Sequence, residues 1–488
     1  MNKYFRKIQL AAGLTAFIII IFSSQSCRRD IFITDPDAAL KFSEDTVHFD
    51  TVFTTVGSVT LPLLIFNEHN DPISIASIEL SGGESSQFRM NVDGESGTVF
   101  HDIEIPANDS LYVFIEVTVD PNAIALPFVI EDSIIFQTNG NVQDVKLIAL
   151  GQNAHFHYGE IVCNEEWFDD LPHVIIGSVL VDTLCHLNIH EGCNIYLHGG
   201  SFFYVLGTLN VNVEGNKDSV VVFQGDRLED FYKDVPGQWE GVYFLRGSTG
   251  DIKYTEIKNA NDGIATGYST NPDLTSYYDF LPNITISNSK IYNCQNNGIF
   301  SLNSKIKATN VLIYNIGLSN AALFLGGDYY FRHCTLANYS SDFLAHQTPS
   351  LGIFDWFEFS QTDVFQDDLT RAEFIDCIVY GSLAEGNEIV IDTMDAVTVF
   401  DFKFDHCILR TDIHPDLLND FDCIFNTDPR FTNIGDRNYI PDTLSISPAI
   451  NAGVLIPSDP VNDDIRGDLR PFPGTDPDIG AYETNVIE

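Results

Sequence analysis

Ile252-Lys253-Tyr254-Thr255-Glu256-Ile257-Lys258-Asn259 is an octet that recurs five times without gaps, at Ile286–Asn293, Ala308–Asn315, Phe331–Asn338, Phe374–Gly381 and Phe404–Thr411. Its first column reads Ile252, Ile286, Ala308, Phe331, Phe374, Phe404, and its sixth Ile257, Ile291, Ile313, Leu336, Val379, Leu409. Both columns are apolar throughout. The fourth column (Thr255, Ser289, Val311, Cys334, Cys377, Cys407) falls at intervals of 34, 22, 23, 43 and 30 residues. A unit near 22 residues is too short to bury a face by itself, so each copy must stack on the next as a coil of a parallel β-solenoid. The longer intervals are then loops inserted in single coils.

Working outward, the same rhythm continues upstream through Leu187-Asn188-Ile189, Ile195-Tyr196-Leu197 and Leu209-Asn210-Val211, with Gly192, Gly199-Gly200, Gly207 and Gly215 at the turns. Before it, residues 40–152 alternate apolar and polar positions in short runs. The clearest is Leu111-Tyr112-Val113-Phe114-Ile115-Glu116-Val117-Thr118-Val119. Asn70-Asp71-Pro72, Asp93-Gly94 and Asn139-Gly140 separate the runs, which predicts an antiparallel sandwich of short strands. This stretch resembles the disulfide-free immunoglobulin-like modules that follow lipoprotein anchors. Its histidines (His48, His69, His101) are scattered, and it reads as a spacer or docking module.

Residues 154–485 resemble a right-handed parallel β-helix of the pectate-lyase-like superfamily, with Pro236-Gly237-Gln238-Trp239-Glu240-Gly241-Val242 and the closing Ser447-Pro448-Ala449-Ile450-Asn451-Ala452-Gly453 similar to segments of secreted bacterial β-helix proteins. The expected fold class is therefore all-β, a sandwich followed by a parallel β-helix. Residues 426–485 are expected to close the solenoid.

Lys3, Arg6 and Lys7 precede a 13-residue apolar run, Leu10–Phe22, and Ser26-Cys27 follows. The run is shorter than the roughly 20 residues of a spanning helix and reads as a secretory signal over residues 1–26. Cys27 in that setting resembles the acylated cysteine of a bacterial lipoprotein, which implies a lipidated chain on the outer membrane, facing the periplasm or the cell surface. Residues 27–39 are its tether. Of the 488 residues, 69 are acidic and 25 basic, for a net charge of -44 that becomes -47 once the three basic residues of the leader leave. Such a body repels phosphate, so nucleic acid is excluded as a partner.

The polar third column (Tyr254, Asn288, Asn310, His333, Asp376, His406) reads as a turn ladder rather than an acid–base cluster, since three of its six members do not titrate near neutrality. Cys334, Cys377 and Cys407 read as small core side chains. Neighbouring coils bring Cα atoms within disulfide range, but parallel side-chain vectors oppose the bond; Cys185 and Cys193 are the local pair that spacing offers. No Cys-x-x-Cys occurs, and no metal site is assigned.

β-Helix enzymes cut polysaccharides on an outer strand face. Polygalacturonases carry Asn-Thr-Asp, Asp-Asp, Gly-His-Gly and Arg-Ile-Lys in that order. Here Asn426-Thr427-Asp428 and Asp367-Asp368 stand in reverse order and the other two motifs are missing, so both matches read as coincidental. Pectate lyases pair calcium-binding carboxylates with a basic residue. The outward second column offers Arg332 and Asp405, one coil apart across Ile375, as weak catalytic candidates. Calcium is the cofactor a lyase would need, and Asp463-Asp464 or Asp476 with Asp478 are its acidic pairs.

Two insertions carry aromatic residues: Tyr268, Tyr277 and Tyr278 in residues 268–283, and Phe354, Trp356, Phe357, Phe359 and Phe365 in residues 340–371. Tyr268, Tyr277, Tyr278 and Trp356 are the candidate ligand-binding residues, because flat apolar rings suit sugar rings. The second insertion is expected to fold over the apolar outward positions Ile375, Ile378 and Ile408. The leading reading is a lipid-anchored binding protein with glycan as ligand. The alternative is a polysaccharide lyase or glycoside hydrolase acting on an acidic polysaccharide.

Overall fold

The computed structural model describes residues 32–121, 127–268, 281–360, 363–384, 386–394, 399–413 and 418–485. The signal segment, Cys27, Tyr277 and Tyr278 lie outside them. The chain divides into two compact units, Met1–Asn153 and Ala154–Glu488.

The first unit is a β-sandwich of two five-stranded sheets. Alternation puts Val113, Ile115 and Val117 of one sheet and Ile134, Phe136 and Leu147 of the other into one core. Asn139 (φ 51°) and Gly140 (φ 83°) make the two-residue connection between Phe128–Thr138 and Asn141–Gln152, antiparallel strands whose right-handed twist this turn matches.

The second unit winds as a parallel β-helix. Among the described residues, coils contribute one strand each to a ten-stranded parallel sheet and two each to an eighteen-stranded one. The first octet column is a single interior file: Ile252, Ile286, Ala308, Phe331, Phe374 and Phe404 pair rung to rung and are all buried. Phe374 stacks between Phe331 (4.9 Å) and Phe404 (5.2 Å). The sixth column is equally buried. Between these columns every member of the third has positive φ, from Tyr254 at 40° to Asn310 and Asp376 at 53°. That left-handed residue bends the chain from one sheet to the next, and short polar side chains tolerate it best. Asn310 Nδ2 donates to Asn288 Oδ1 of the coil before (3.0 Å), so the column is a turn ladder. A second ladder runs through Asn259, Asn293 and Asn315, again at positive φ, with Asn315 Nδ2 donating to Asn293 Oδ1 (2.5 Å).

The disulfide differs from the sequence expectation. Cys163, not Cys193, bonds Cys185, with Cα atoms 4.8 Å apart. The register Glu165↔Leu187 places Cys163 and Cys185 at equivalent positions of consecutive coils. Leu184 at φ 63° turns the chain immediately before Cys185, in a bend where side chains are not held parallel as they are within a strand. Cys193 points inward and is fully buried.

The cover over Ile378 and Ile408 also differs. Their outward side chains pack with Leu312, Tyr314 and Ala337 under Phe431, Tyr439, Ala449, Ile465, Ile479 and Ala481. The closing segment therefore leaves the winding after Ile424–Phe425 and doubles back along the flank, reaching Lys217, whose Nζ donates to Gly467 O (3.4 Å). Residues 340–371 instead supply a regular rung, Leu351–Phe354, and a small antiparallel hairpin, Trp356–Ser360 with Asp363–Gln366.

Candidate functional site

Each coil's second strand in the eighteen-stranded sheet alternates one buried and one outward residue. In Phe202–Val205, Phe203 and Val205 enter the core while Phe202 and Tyr204 face out, half-buried. Successive rungs set Tyr204 opposite Tyr243, Tyr243 opposite Ala265, Ala265 opposite Phe300, Phe300 opposite Ala322, and Ala322 opposite Gly352. The small residues leave room for rings from neighbouring positions. Tyr268 fills the space over Ala265, 5.6 Å from Tyr243 and 5.8 Å from Phe300. Phe354 lies over Gly352, where a Cβ would stand 2.7 Å from its ring. Phe300 then meets Phe324 (5.6 Å), and Phe324 stacks on Phe354 (4.7 Å). The hairpin adds Phe357, edge-on to Phe324 (5.2 Å), and Trp356, edge-on to Phe354 (5.9 Å). The result is a continuous aromatic band from Phe202 to Trp356, following the solenoid axis across six rungs about 4.8 Å apart.

Carboxylates border the band. On one edge Tyr243 Oη donates to Asp262 Oδ2 (3.3 Å), and Asn261 Nδ2 to Glu240 Oε2 (2.8 Å). Burial, then the Asp262 charge, pushes the Tyr243 hydroxyl up, and burial raises the Asp262 carboxyl despite the amide donors of Asn297. On the other edge Trp356 Nε1 donates to Asp392 Oδ2 (3.2 Å), and Asn303 Nδ2 donates to Asp367. Burial, with Asp368 alongside, raises the Asp367 carboxyl.

Two of the residues singled out from sequence, Tyr268 (36% exposed) and Trp356, belong to this band. Arg332 and Asp405 do not form an open site. They share a file through Ile375, but Arg332 is only 2% exposed. Its guanidinium donates to Asp459 O beneath the closing segment, and Asp405 is taken up by Lys403 (2.6 Å) and His406 (2.7 Å). Of the acidic residues named for calcium, Asp463, Asp464 and Asp478 are committed to internal bonds, and Asp476 is exposed. Asp464 holds Arg466 (2.8 Å), Asp463 accepts from Tyr254 Oη (3.0 Å), and Asp478 accepts the backbone N–H groups of Asn451 and Thr484 (both 2.7 Å). Among the described residues no group of three His, Cys, Asp or Glu side chains is arranged to hold a metal ion.

The rings of Tyr204, Tyr243, Phe300 and Phe324 were missed because the octet alignment follows a different pair of strands. A weaker repeat marks two of them, Tyr243 and Phe300: Gly241-Val242-Tyr243, Gly263-Ile264-Ala265 and Gly298-Ile299-Phe300 place an outward residue two positions after a glycine.

No protein-family model matches the chain, and no curated protein matches it. Similar solved structures include the catalytic unit of a GH87 α-1,3-glucanase from Streptomyces thermodiastaticus (9% identity over 75% of each chain, TM-score 0.26). They also include the catalytic domain of a GH87 α-1,3-glucanase in complex with tetrasaccharides (9% identity over 72% of this chain and 82% of that one, TM-score 0.18). A family 123 glycoside hydrolase from Clostridium perfringens shows 8% identity over 25% of this chain and 30% of that one, with TM-score 0.17. This chain spans less than a third of that hydrolase.

Proposed function

We propose that this protein binds a glycan along the aromatic band and is held at the cell envelope by acylation of Cys27. The observation that carries the reading is the run of half-buried rings on consecutive rungs of a rigid sheet. An apolar outer face of that length has a water-contact cost that a folded monomer does not ordinarily keep without use. Pyranose rings carry C–H groups on one face that stack on aromatic rings. A solenoid presents such rings at a fixed repeat, and a rigid platform loses little entropy on binding. The hydroxyls and carboxylates along the edges supply hydrogen-bond partners for sugar hydroxyls. Binding to a panel of immobilised polysaccharides tests this. Tyr243→Ala with Phe324→Ala should reduce affinity about tenfold or more, since each lost ring contact is worth about 1 kcal/mol. Unchanged affinity in the doubly substituted chain refutes the reading. Metabolic labelling with a fatty acid, lost in Cys27→Ser, tests the anchor.

One observation favours a second reading, glycoside hydrolysis. Asp367, set beside Asn303 and Asp368 at the edge of the band, has a carboxyl raised by burial, as a general acid requires. Release of reducing ends from a bound polysaccharide, abolished in Asp367→Asn, is its signature. Binding without release leaves the protein a binder only.

A further inference from the structure

We propose that the glycan held on the aromatic band carries protonated amino groups, as a deacetylated hexosamine polymer does. This rests on the glycan-binding reading and adds charge to it. Stacking selects a ring face but not a charge; the edges of the band select the charge. Four carboxylates with solvent access border it: Glu240 on one side, and Asp367, Asp368 and Asp392 on the other. Hydrogen bonds place three of them beside the band, and Glu240 acts on it through its charge. The Glu240 charge acts on the hydroxyl of Tyr204. Asp392 receives the indole N–H of Trp356. The Asp367 backbone N–H bonds Asp355 O (2.9 Å), between Phe354 and Trp356, and Asp368 O accepts Gly327 N–H (2.9 Å) in the turn just after Phe324. The strands that carry the rings contain no lysine or arginine, and among the described contacts Arg246 is the basic side chain placed beside Asp367.

The contrast lies within the same solenoid. On the strands of the ten-stranded sheet, six basic side chains (Lys253, Lys305, Lys307, Arg332, Arg371 and Lys403) stand among eight acidic ones (Glu165, Glu166, Asp251, Asp328, Glu373, Asp401, Asp405 and Asp420), an acidic excess of only two. Acidity at the band is therefore a local imbalance and not only the background of an acidic chain. A polyuronate laid on the rings meets an excess of like charge, with Arg246 the basic side chain among these carboxylates. An ammonium group laid there gains charge-assisted hydrogen bonds from the edges and the attraction of a cation for ring faces.

Calorimetric titration of the full-length protein with three hexamers tests this: glucosamine, N-acetylglucosamine and galacturonate. The glucosamine hexamer should bind about tenfold tighter than its acetylated form, and several-fold more weakly at about 500 mM salt than at about 50 mM. Glu240→Gln with Asp392→Asn should remove that advantage together with its salt dependence. Equal, salt-independent affinity for the two hexosamine forms overturns the charge inference and leaves the platform standing, as does tightest binding of galacturonate. Loss of no sugar binding in Tyr243→Ala, Phe324→Ala, or no binding of any hexamer, overturns the platform reading as well. Displacement of the hexamer by oligolysine at equal affinity would make the ligand a basic peptide and overturn the inference.

Discussion

Asp376 → Asn should make the closing segment less sensitive to alkali. Asp376 sits in the left-handed turn ladder with its carboxyl fully buried. Oδ1 accepts the backbone N–H of Val454 (2.8 Å), and its backbone carbonyl accepts that of Gly480 (2.7 Å), so the returning segment is fastened here at two points. Oδ2 lies 3.4 Å from Nε2 of His333. This is a neutral pair and not an ion pair. Burial raises the carboxyl to about 8, and burial next to Arg470 and Arg332 drives the imidazole well below its usual range. His333 donates from Nδ1 to Asp478 O (3.2 Å), which leaves Nε2 without a proton and facing Asp376 Oδ2. A carboxyl raised in the folded state stabilises fully below its unfolded value near 3.9 and loses that contribution as pH rises through about 8. The slope is about 1.4 kcal/mol per pH unit, so going from pH 5 to pH 8 costs at most about 4 kcal/mol. Asn keeps the acceptor for Val454 and cannot ionise. Thermal unfolding of the wild type should fall by several degrees more than that of Asp376→Asn over this range. Hydrogen exchange should place the extra opening at residues 449–482. Parallel pH profiles for the two proteins refute the assignment of a neutral, proton-binding Asp376.

Three further outcomes follow from other parts of the fold. Phe374→Ala removes the middle ring of the Phe331–Phe374–Phe404 stack, and should cost about 3–5 kcal/mol in urea unfolding of the second unit; a cost below about 1 kcal/mol would mean the file is not close-packed. His173, buried against Trp167 (4.5 Å) and lowered to about 4 by burial, stabilises the first coil above its unfolded value near 6.5 and loses that contribution as pH falls toward 4; Trp167 fluorescence should change over that interval in wild type and not in His173→Gln. Reducing Cys163–Cys185, which closes a loop of 22 residues, should lower stability by about 3 kcal/mol, and Cys185→Ser should unfold at the same temperature with or without reductant.

The winding itself was legible in sequence because its cause is local and periodic. An inward file needs an apolar residue at the same place in every coil, and a bend from one sheet to the next needs a residue that accepts positive φ. Both demands recur at each octet, so Phe331, Phe374 and Phe404, or Asn288 and Asn310, declare themselves by repetition. The hairpin turn Asn139-Gly140 is legible for the same reason, since two residues suffice to set it.

What repetition does not encode, only the tertiary structure decided. Arg332 stands at an outward position in the alignment, yet the returning segment around Asp459 covers it, and that contact joins residues 127 positions apart. Cys163 meets Cys185 because two turns coincide in space. The aromatic band is assembled from Tyr243 and Phe300 in one file, Phe324 and Phe354 two positions further along their strands, and Tyr268 from beyond its strand; these converge because Ala265 and Gly352 leave space for a neighbour's ring. Alternation along a strand dictates which side a residue faces; which rings then touch depends on the volumes of residues one rung away, and that is a property of the stacked coils alone.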